Sequence, residues 1–551
     1  MKSAPPPQDR NQGSGNFRFR PLRPAPTAKI SPCQTNCPCG TNVRDWIAPI
    51  AQRESTGLSV DASYEIAWQR IVDNNPFPAT MGRICPHPCE DQCSRIDKDG
   101  AVAVSALERF LGDWALQRGL SLPKLNYRSR EGSVGVIGAG PAGLSYAYQM
   151  ARRGYRVSVY DWHPHAGGML RYGVPDYRLP HAVLDAEIAR ICDLDVELIT
   201  GTRIGRDLLL TDIQRRHDIL FLGLGAQQGR PLNLPGENGP GVWVGTDFLA
   251  RYNQGDPVLQ GGQLLVIGGG NTALDVARVG RRLGAEVRIL YHRERADMPA
   301  ITSETRQALL EGVEIDFQVA PIELLRNEDG ALYGLKLQRM RTGSVDASGR
   351  PRPVPIPGQF YTLAADAVVV AISQQADWHG LEALRPQEST QAMDTRSQQM
   401  IGLGGDVLSL GIASHAIAQG KLAAERACGE FSPVQKWPAE SAPDLPHTRP
   451  GHYPEAERWN PDERSVEYRL HFTNSEISQT IDENTFLKEV GRCMSCGSCI
   501  GCQLCWMYCN AGGITPLENP SPGEYFSFDL TVCEGCGKCV ELCPCGFLTL
   551  E

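Results

Sequence analysis

Eight cysteines near the C-terminal end fall into one spacing written twice. Cys499, Cys502, Cys505 and Cys509 are separated by two, two and three residues, and Cys533, Cys536, Cys539 and Cys543 repeat that spacing before Pro544. This is a ligand pattern for two [4Fe–4S] clusters in which the fourth cysteine of each run serves the other cluster. A four-iron cube needs four thiolates at tetrahedral corners. The two-residue gaps wrap a loop around three corners, and a distant residue closes the fourth. A disulfide scaffold or paired zinc sites are the alternatives. A chain with this pattern handles single electrons, which raises the question of their source.

Two further motifs answer it. Val134 to Leu144 reads V-G-V-I-G-A-G-P-A-G-L, an apolar strand running into Gly138-x-Gly140-x-x-Gly143. Gly138 permits a tight turn, Gly140 lets the backbone approach a pyrophosphate, and Gly143 lets the following helix, opened by Pro141 and Ala142, pack on the strand. The helix N-terminus then faces the phosphates with its free amides. The next strand ends at Asp161, an acid placed to bind ribose hydroxyls. Leu264 to Asp275 repeats the plan with Gly268, Gly270, Asn271 and Thr272, and Ala273 takes the third small position. Its second strand ends in Tyr291-His292-Arg293-Glu294-Arg295. Cations at that place suit a 2′-phosphate, so Arg293 and Arg295 lean toward NADP. The same arginines could instead form surface ion pairs with Glu294 or Asp297, which leaves NAD and NADP both open.

Two nucleotide folds, one inside the other, predict FAD together with NAD(P). A flavin takes a hydride as an electron pair and releases electrons singly, the conversion needed between a nicotinamide and iron–sulfur clusters. Hydride transfer depends on stacking rather than on an acid–base dyad, so no catalytic side chain is singled out.

The chain has 551 residues, enough for several domains, and a net charge of −9, which argues against a nucleic-acid partner. No apolar stretch reaches the length of a membrane span, and no secretory leader is read. Nineteen cysteines without such a leader predict a reducing, cytoplasmic setting. The expected organisation is multidomain α/β. A disordered arm (1–30) precedes a helical Fe–S domain (31–128). Two nested Rossmann-like domains follow, FAD-binding (129–255 and 375–430) and NAD(P)-binding (256–374). A proline-rich linker (431–490) then leads to a bacterial ferredoxin-like α+β module (491–551). That module carries six acids against Arg492 and Lys538, a charge of −4, so a docking protein is expected to present a basic face.

Longer phrases carry a family resemblance. Gly167-Gly168-Met169-Leu170-Arg171-Tyr172-Gly173-Val174-Pro175, Leu234-Pro235-Gly236-Glu237, Tyr291 to Pro299, and Gly404-Gly405-Asp406 resemble the flavin domain of the glutamate synthase small (β) subunit family. The N-terminal half of dihydropyrimidine dehydrogenase shares this plan. The resemblance implies cofactor contacts at Gly168, Met169, Arg171, Gly225 and Gly405. It also implies a hydrogen bond from the flavin ribityl chain to Asp406, and a helix starting near Ala413 whose N-terminus points at the flavin ring. His292 departs from the usual arginine after the tyrosine, which weakens the lean toward NADP.

The ferredoxin-like module and phrases such as Asn75-Pro76-Phe77-Pro78 look closest to stand-alone NAD(P)H:acceptor oxidoreductases. Some of these work beside dissimilatory sulfite reductase in sulfur oxidisers, and relatives appear beside benzoyl-CoA reductase. The implied partner is a protein electron acceptor or donor, such as that reductase or a ferredoxin, and the plan allows a homodimer. An electron-input subunit of a glutamate synthase-type or benzoyl-CoA reductase-type complex is the alternative.

The family places two more clusters in the N-terminal domain. By position Cys37, Cys85 and Cys89 match three ligands of one, and the phrase Ala106-Leu107-Glu108-Arg109-Phe110 points to Glu108 as the fourth. An exposed helix acid is the plainer reading of Glu108. The other cluster would use Cys33 and Cys93, but the family's upstream R-C-x-x-C-G phrase is missing there. That phrase stands instead at Arg492-Cys493-Met494-Ser495-Cys496-Gly497, so Cys493 and Cys496 are expected to fold back and complete it. Cys39, Cys192, Cys428 and Cys545 are left over, and Cys39 could replace a ligand.

Overall fold

The computed structural model describes residues 22–345, 349–385, 400–429 and 447–551. A helical N-terminal region is followed by two parallel sheets and a small C-terminal α+β unit.

The N-terminal region is built on the helices Val43–Ala51, Val60–Val72 and Val104–Gln117. Asn42 and Ser59 cap the first two by accepting the N–H of Asp45 and Ala62, amides that a first turn otherwise leaves without a partner. Trp46, Ile47, Ile50, Tyr64, Ile71, Leu107 and Leu111 meet in one core. Ile481, Phe486 and Val490 join it from far along the chain, and Phe110 stacks on Phe486 with centroids 4.0 Å apart. This corrects the expected 431–490 linker. Residues 430–446 lie outside the described residues, but Val466–His471 and Glu483–Val490 are helices, and the second closes the N-terminal core. Apolar burial at about 25 cal/mol per Å² makes that segment part of the domain.

The expected 1–30 arm is corrected in its second part. Residues 1–21 lie outside the described residues, but Pro24–Pro26 pairs antiparallel with Leu548–Leu550. Arg23 and Glu551 exchange both main-chain hydrogen bonds, at 2.8 and 2.9 Å. A two-stranded ribbon leaves each strand an open edge, where proline's missing N–H is tolerated.

The first parallel sheet has the order Met400–Leu403, Ile219–Leu222, Ser133–Ile137, Arg156–Tyr160, Val196–Ile199. Its central strand runs into the helix Pro141–Ala151, and the helix Ala413–Ala427 packs on that one. The approach is close. A Cβ on Gly420 would lie 2.3 Å from the Ala142 carbonyl oxygen, and Ser145 Oγ donates to the Ile417 carbonyl at 2.7 Å.

The second parallel sheet has the order Glu314–Phe317, Glu286–Tyr291, Gln263–Ile267, Ala367–Val370, Val242–Val244. A three-stranded antiparallel sheet, Val319–Arg326, Leu332–Val345 and Pro351–Ala364, leans on it. The expected boundary at residue 255 moves. Val242–Val244 belongs to this second sheet, and the helix Gly245–Asn253 buries Phe248 and Leu249 against Leu264 and Val266. The crossing between the two domains is the short ribbon Gln228–Gly229 with Gln374–Gln375.

The C-terminal unit has a hairpin, Ile514–Ser521 with Glu524–Phe528, and two short helices, Leu504–Met507 and Lys538–Leu542. No helix among the described residues is long and apolar enough to cross a membrane.

Candidate functional site

A cavity of about 530 Å³ lies beyond the C-terminal ends of the first sheet's strands, where ligands of open α/β sheets bind. Gly138, Gly140, Pro141, Ala142, Asp161, Gly168, Met169, Gly225, Gly405 and Asp406 all line it. The turn requires glycine at two points. A Cβ on Gly138 (φ +106°) would lie 2.2 Å from the Gly223 carbonyl oxygen, and one on Gly143 would lie 1.9 Å from the Gly138 carbonyl oxygen. Gly143 therefore serves packing. A Cβ on Gly140 would meet only Gly168 Cα, at 3.8 Å, so its backbone is open to a diphosphate.

Asp161 braces this turn as well as facing the cavity. Its carboxylate accepts the N–H of Ala139 at 2.7 Å and of His163 at 2.8 Å. Asp406 accepts the Gly411 N–H at 3.1 Å, and burial pushes its carboxyl above the ordinary range. Arg171 is not among the residues that line this cavity. Its guanidinium donates to the Ala166 carbonyl at 2.7 Å and pairs with Asp185 of the helix His181–Cys192. Trp162, Arg203, Asp247, Asp377 and His379 also line the cavity, and the sequence reading missed them. Four sit in loops and Asp247 in the first turn of the helix Gly245–Asn253, at positions that no spacing marks; the Arg203–Asp377 pair joins residues far apart in the chain.

A second cavity of about 200 Å³ opens beside the first. Pro141, Met169, Asp406 and Ala416 line both. Asn271 and Thr272 enter it at the start of the helix Asn271–Arg282, from the second nucleotide fold. Ala413, the first residue of its own helix, faces this second cavity, and so does Cys85. Arg178 donates to both oxygens of Asp275 in the same wall, at 2.8 and 2.9 Å. Gly268 and Gly270 immediately precede the Asn271 helix. A Cβ on Gly268 would lie 2.3 Å from the Ala371 carbonyl oxygen. Arg293 is half-buried and Arg295 exposed at the end of the Glu286–Tyr291 strand, while Glu294 accepts from Gln318 and Thr342.

The sulfurs form four groups. In the first, Cys37, Cys85 and Cys89 stand with Glu108 and Cys39. The Glu108 carboxylate is half-buried; Asn75 donates to one oxygen at 2.8 Å, and His87 Nε2 lies 3.2 Å from the other. Burial pushes the Cys85 thiol up to about 12, whereas the Cys39 thiol beside Cys37 brings that one down to about 7. Cys39 donates to the Ser414 carbonyl at 3.3 Å, and Cys85 reaches Ser414 Oγ at 3.9 Å. Ser414 is the second residue of the Ala413–Ala427 helix, so this group abuts the wall of both cavities.

In the second group Cys33, Cys93, Cys493 and Cys496 line one pocket, with Cys89 at its edge toward the first. Arg492 holds the returning loop in place. Its buried guanidinium donates to Glu489 at 2.6 Å, to the Ala101 carbonyl at 3.0 Å and to Asp99 at 3.0 Å. Burial pushes Cys33 up to about 12 and raises Cys493. Bound metal reverses that preference, because its charge favours the thiolate.

The last two groups show the exchanged fourth residue. Cys509 joins Cys533, Cys536 and Cys539 around one pocket, and Cys543 acts electrostatically on Cys499, Cys502 and Cys505. Tyr453 stands between the second and third groups, within electrostatic reach of Cys493, Cys496, Cys543 and Cys545. Among the described residues no three His, Cys, Asp or Glu side chains converge on a single-ion site. The last three groups each gather four cysteines, the donor set of a four-iron cube. Cys192 and Cys428 belong to none of them; both pack against the apolar core around the first sheet.

Comparison with known proteins agrees with this layout. The pyridine nucleotide-disulphide oxidoreductase family matches residues 132–420, and dihydropyrimidine dehydrogenase domain II, 4Fe-4S cluster, matches residues 27–120. The chain is 37% identical over 353 residues to the NADPH-Fe(3+) oxidoreductase subunit beta of Geobacter sulfurreducens, covering 63% of this chain and 51% of that one. It is 37% identical over 426 residues to the NADP(+)-dependent formate dehydrogenase subunit beta of Moorella thermoacetica, covering 72% and 59%. It is 30% identical over 419 residues to the glutamate synthase [NADPH] small chain of Escherichia coli, covering 71% and 87%. The chain thus spans about half the length of the first of these relatives. It belongs to the pyridine nucleotide-disulphide oxidoreductase family, in the group that includes the glutamate synthase small chains.

Proposed function

We propose that the chain is an iron–sulfur flavoprotein that oxidises NAD(P)H and passes the electrons to a protein partner. The observation that carries this reading is the wall shared by the two cavities, Pro141, Met169, Asp406 and Ala416, with Cys85 opening on the second. A nicotinamide held by Asn271 and Thr272 would meet there an isoalloxazine held by Gly140, Met169 and Asp406, one residue layer from a cysteine of the first group. A bound flavin supplies the conversion of a hydride pair into single electrons.

The chain's own residues do the placing. Gly140, at the start of the helix Pro141–Ala151, leaves its backbone open to a diphosphate, and the N-terminus of the fifteen-residue helix Ala413–Ala427 presents its positive end to the ring. Cys85 and Ser414 couple the ring's wall to the first group. Cys89 links the first group to the second, and Tyr453 the second to the third. The proposed ligands are Cys37, Cys85, Cys89 and Glu108; Cys33, Cys93, Cys493 and Cys496; Cys499, Cys502, Cys505 and Cys543; and Cys509, Cys533, Cys536 and Cys539. Among the described residues Cys536 is the exposed cysteine, and the partner docks at that end, where Met507 and Tyr508 are exposed too.

Anaerobically purified protein should carry bound flavin and roughly 16 iron atoms, four per cube, and reduce viologen with NADPH or NADH. Full flavin and iron without nicotinamide-driven reduction would leave a wiring subunit and sink the enzyme reading. The finer reading, a sulfite reductase of the dissimilatory kind as partner in a reducing cytoplasm, is tested by co-purification from native extract. The coverage of 87% of a glutamate synthase small chain favours a second reading, an electron-input subunit, which recovery of a large amidotransferase partner would establish instead.

A further inference from the structure

Among the four cysteines outside the proposed ligand sets, Cys545 lies against a proposed ligand. It follows Cys543 and Pro544, is 2% exposed, and its sulfur is 3.7 Å from Cys543 Sγ. Pro544 fixes its own φ and has no N–H, which holds the flanking side chains in one arrangement. Among the described residues Cys543 is the hydrogen-bond partner of the Cys545 thiol. The proton of such a buried pair settles on one sulfur. A cluster ligand binds as a thiolate and has no proton to give, so between these two sulfurs the S–H belongs to Cys545. Cys39 repeats the spacing as Cys37-Pro38-Cys39, but its thiol has the Ser414 carbonyl within 3.3 Å as an acceptor, so the inference is confined to Cys545.

We infer that the Cys545 S–H donates a hydrogen bond to the Cys543 sulfur of the cube held by Cys499, Cys502, Cys505 and Cys543, and so raises that cube's reduction potential. The inference rests on the cluster reading above. Reduction adds one electron to the cube and negative charge to its sulfurs, with no bond made or broken, and Cys545 keeps its proton. A donor aimed at a ligand sulfur stabilises the reduced form more than the oxidised one, and hydrogen bonds to the sulfurs are among the factors that set cluster potentials. Cys545 also stands at the handover between modules. Its carbonyl accepts the Gly497 N–H at 2.6 Å, directly after Cys496, and Tyr453 faces both sulfur groups. A raised potential here draws electrons out of the second group and into the third.

The test is a redox titration of the full-length holoprotein, followed by electron paramagnetic resonance, for wild type, Cys545→Ala and Cys545→Ser. Cys545→Ala should keep the wild-type iron content, yet one cube should titrate lower while the others hold. The expected shift corresponds to up to a tenfold weaker reduced state, about 59 mV for a one-electron couple. Cys545→Ser keeps an O–H donor and should restore the potential to wild type or above. Unchanged titration of Cys545→Ala at full iron overturns the inference. Loss of about four irons in that variant also overturns it, by making Cys545 a ligand. Wild-type protein lacking the iron for this cube, with Cys543→Ala no poorer in iron, would sink the cluster reading itself.

Discussion

The Tyr453 hydroxyl donates to the Met494 carbonyl at 2.7 Å, between the sulfurs of the returning loop and those of the C-terminal unit. Tyr453 thus ties down the loop that carries Cys493 and Cys496. Tyr453→Phe keeps the ring and removes only that bond, and should lower unfolding stability by about 1 kcal/mol. Urea unfolding of wild type and variant under argon checks this; equal midpoints would show that the bond is replaced by solvent.

The exchange of fourth residues has a separable signature. Cys509→Ala should remove the cube of the second cysteine run, Cys533 to Cys539, and leave that of the first run. Cys543→Ala should do the reverse. Each loses about four irons, and the two surviving spectra should differ. Loss from the mutated residue's own run would show an unexchanged arrangement.

On the proposed reading, Arg293 and Arg295, at the end of the Glu286–Tyr291 strand, meet the 2′-phosphate of NADPH. Replacing both with alanine should raise KM for NADPH about tenfold, near 1.4 kcal/mol, with KM for NADH little changed. Steady-state kinetics with both nucleotides decide it. An equal rise for the two would place the arginines against the diphosphate instead.

A pH effect is expected in the second sheet's domain. Glu311 is buried, which by itself would raise its carboxyl. Arg278 at 2.9 Å and Arg282 at 2.7 Å overcome that and hold it down to about 2. A depressed folded value means stability that is fully present above the unfolded value of about 4.5 and lost as pH falls through about 2. Glu311→Gln should flatten that acid limb. It should also destabilise by roughly 3–5 kcal/mol at neutral pH, because the buried Arg282 loses its carboxylate while Arg278 keeps only Glu304. Thermal melts of both proteins across pH 2–6 measure it; parallel acid limbs would count against the assignment.

The nucleotide turns were legible because an apolar strand meeting Gly-x-Gly constrains the backbone itself, and Gly138 and Gly268 sit where a Cβ would strike a carbonyl. The companionship of Cys33 and Cys93 with Cys493 and Cys496 was legible because a displaced phrase, R-C-x-x-C-G, kept its own spacing. Other features left no local mark. Ile481, Phe486 and Val490 are too sparse to form a period, yet they close a core whose other half lies hundreds of residues away. Pro24 and Pro26 read as breakers, and their strand exists only because Leu548–Leu550 offers it an edge. Val242–Val244 is too short to announce which sheet it joins, and its neighbour Ala367–Val370 settles that in space.

The ribbon between Pro24–Pro26 and Leu548–Leu550 gives the molecule the topology of a clasped bracelet. The iron–sulfur parts form the band, and the two nucleotide folds hang from it as a pendant inserted between its halves. Nicking the pendant would not let the band spring open, so the spacing of the sulfur groups should survive cleavage within the nucleotide folds.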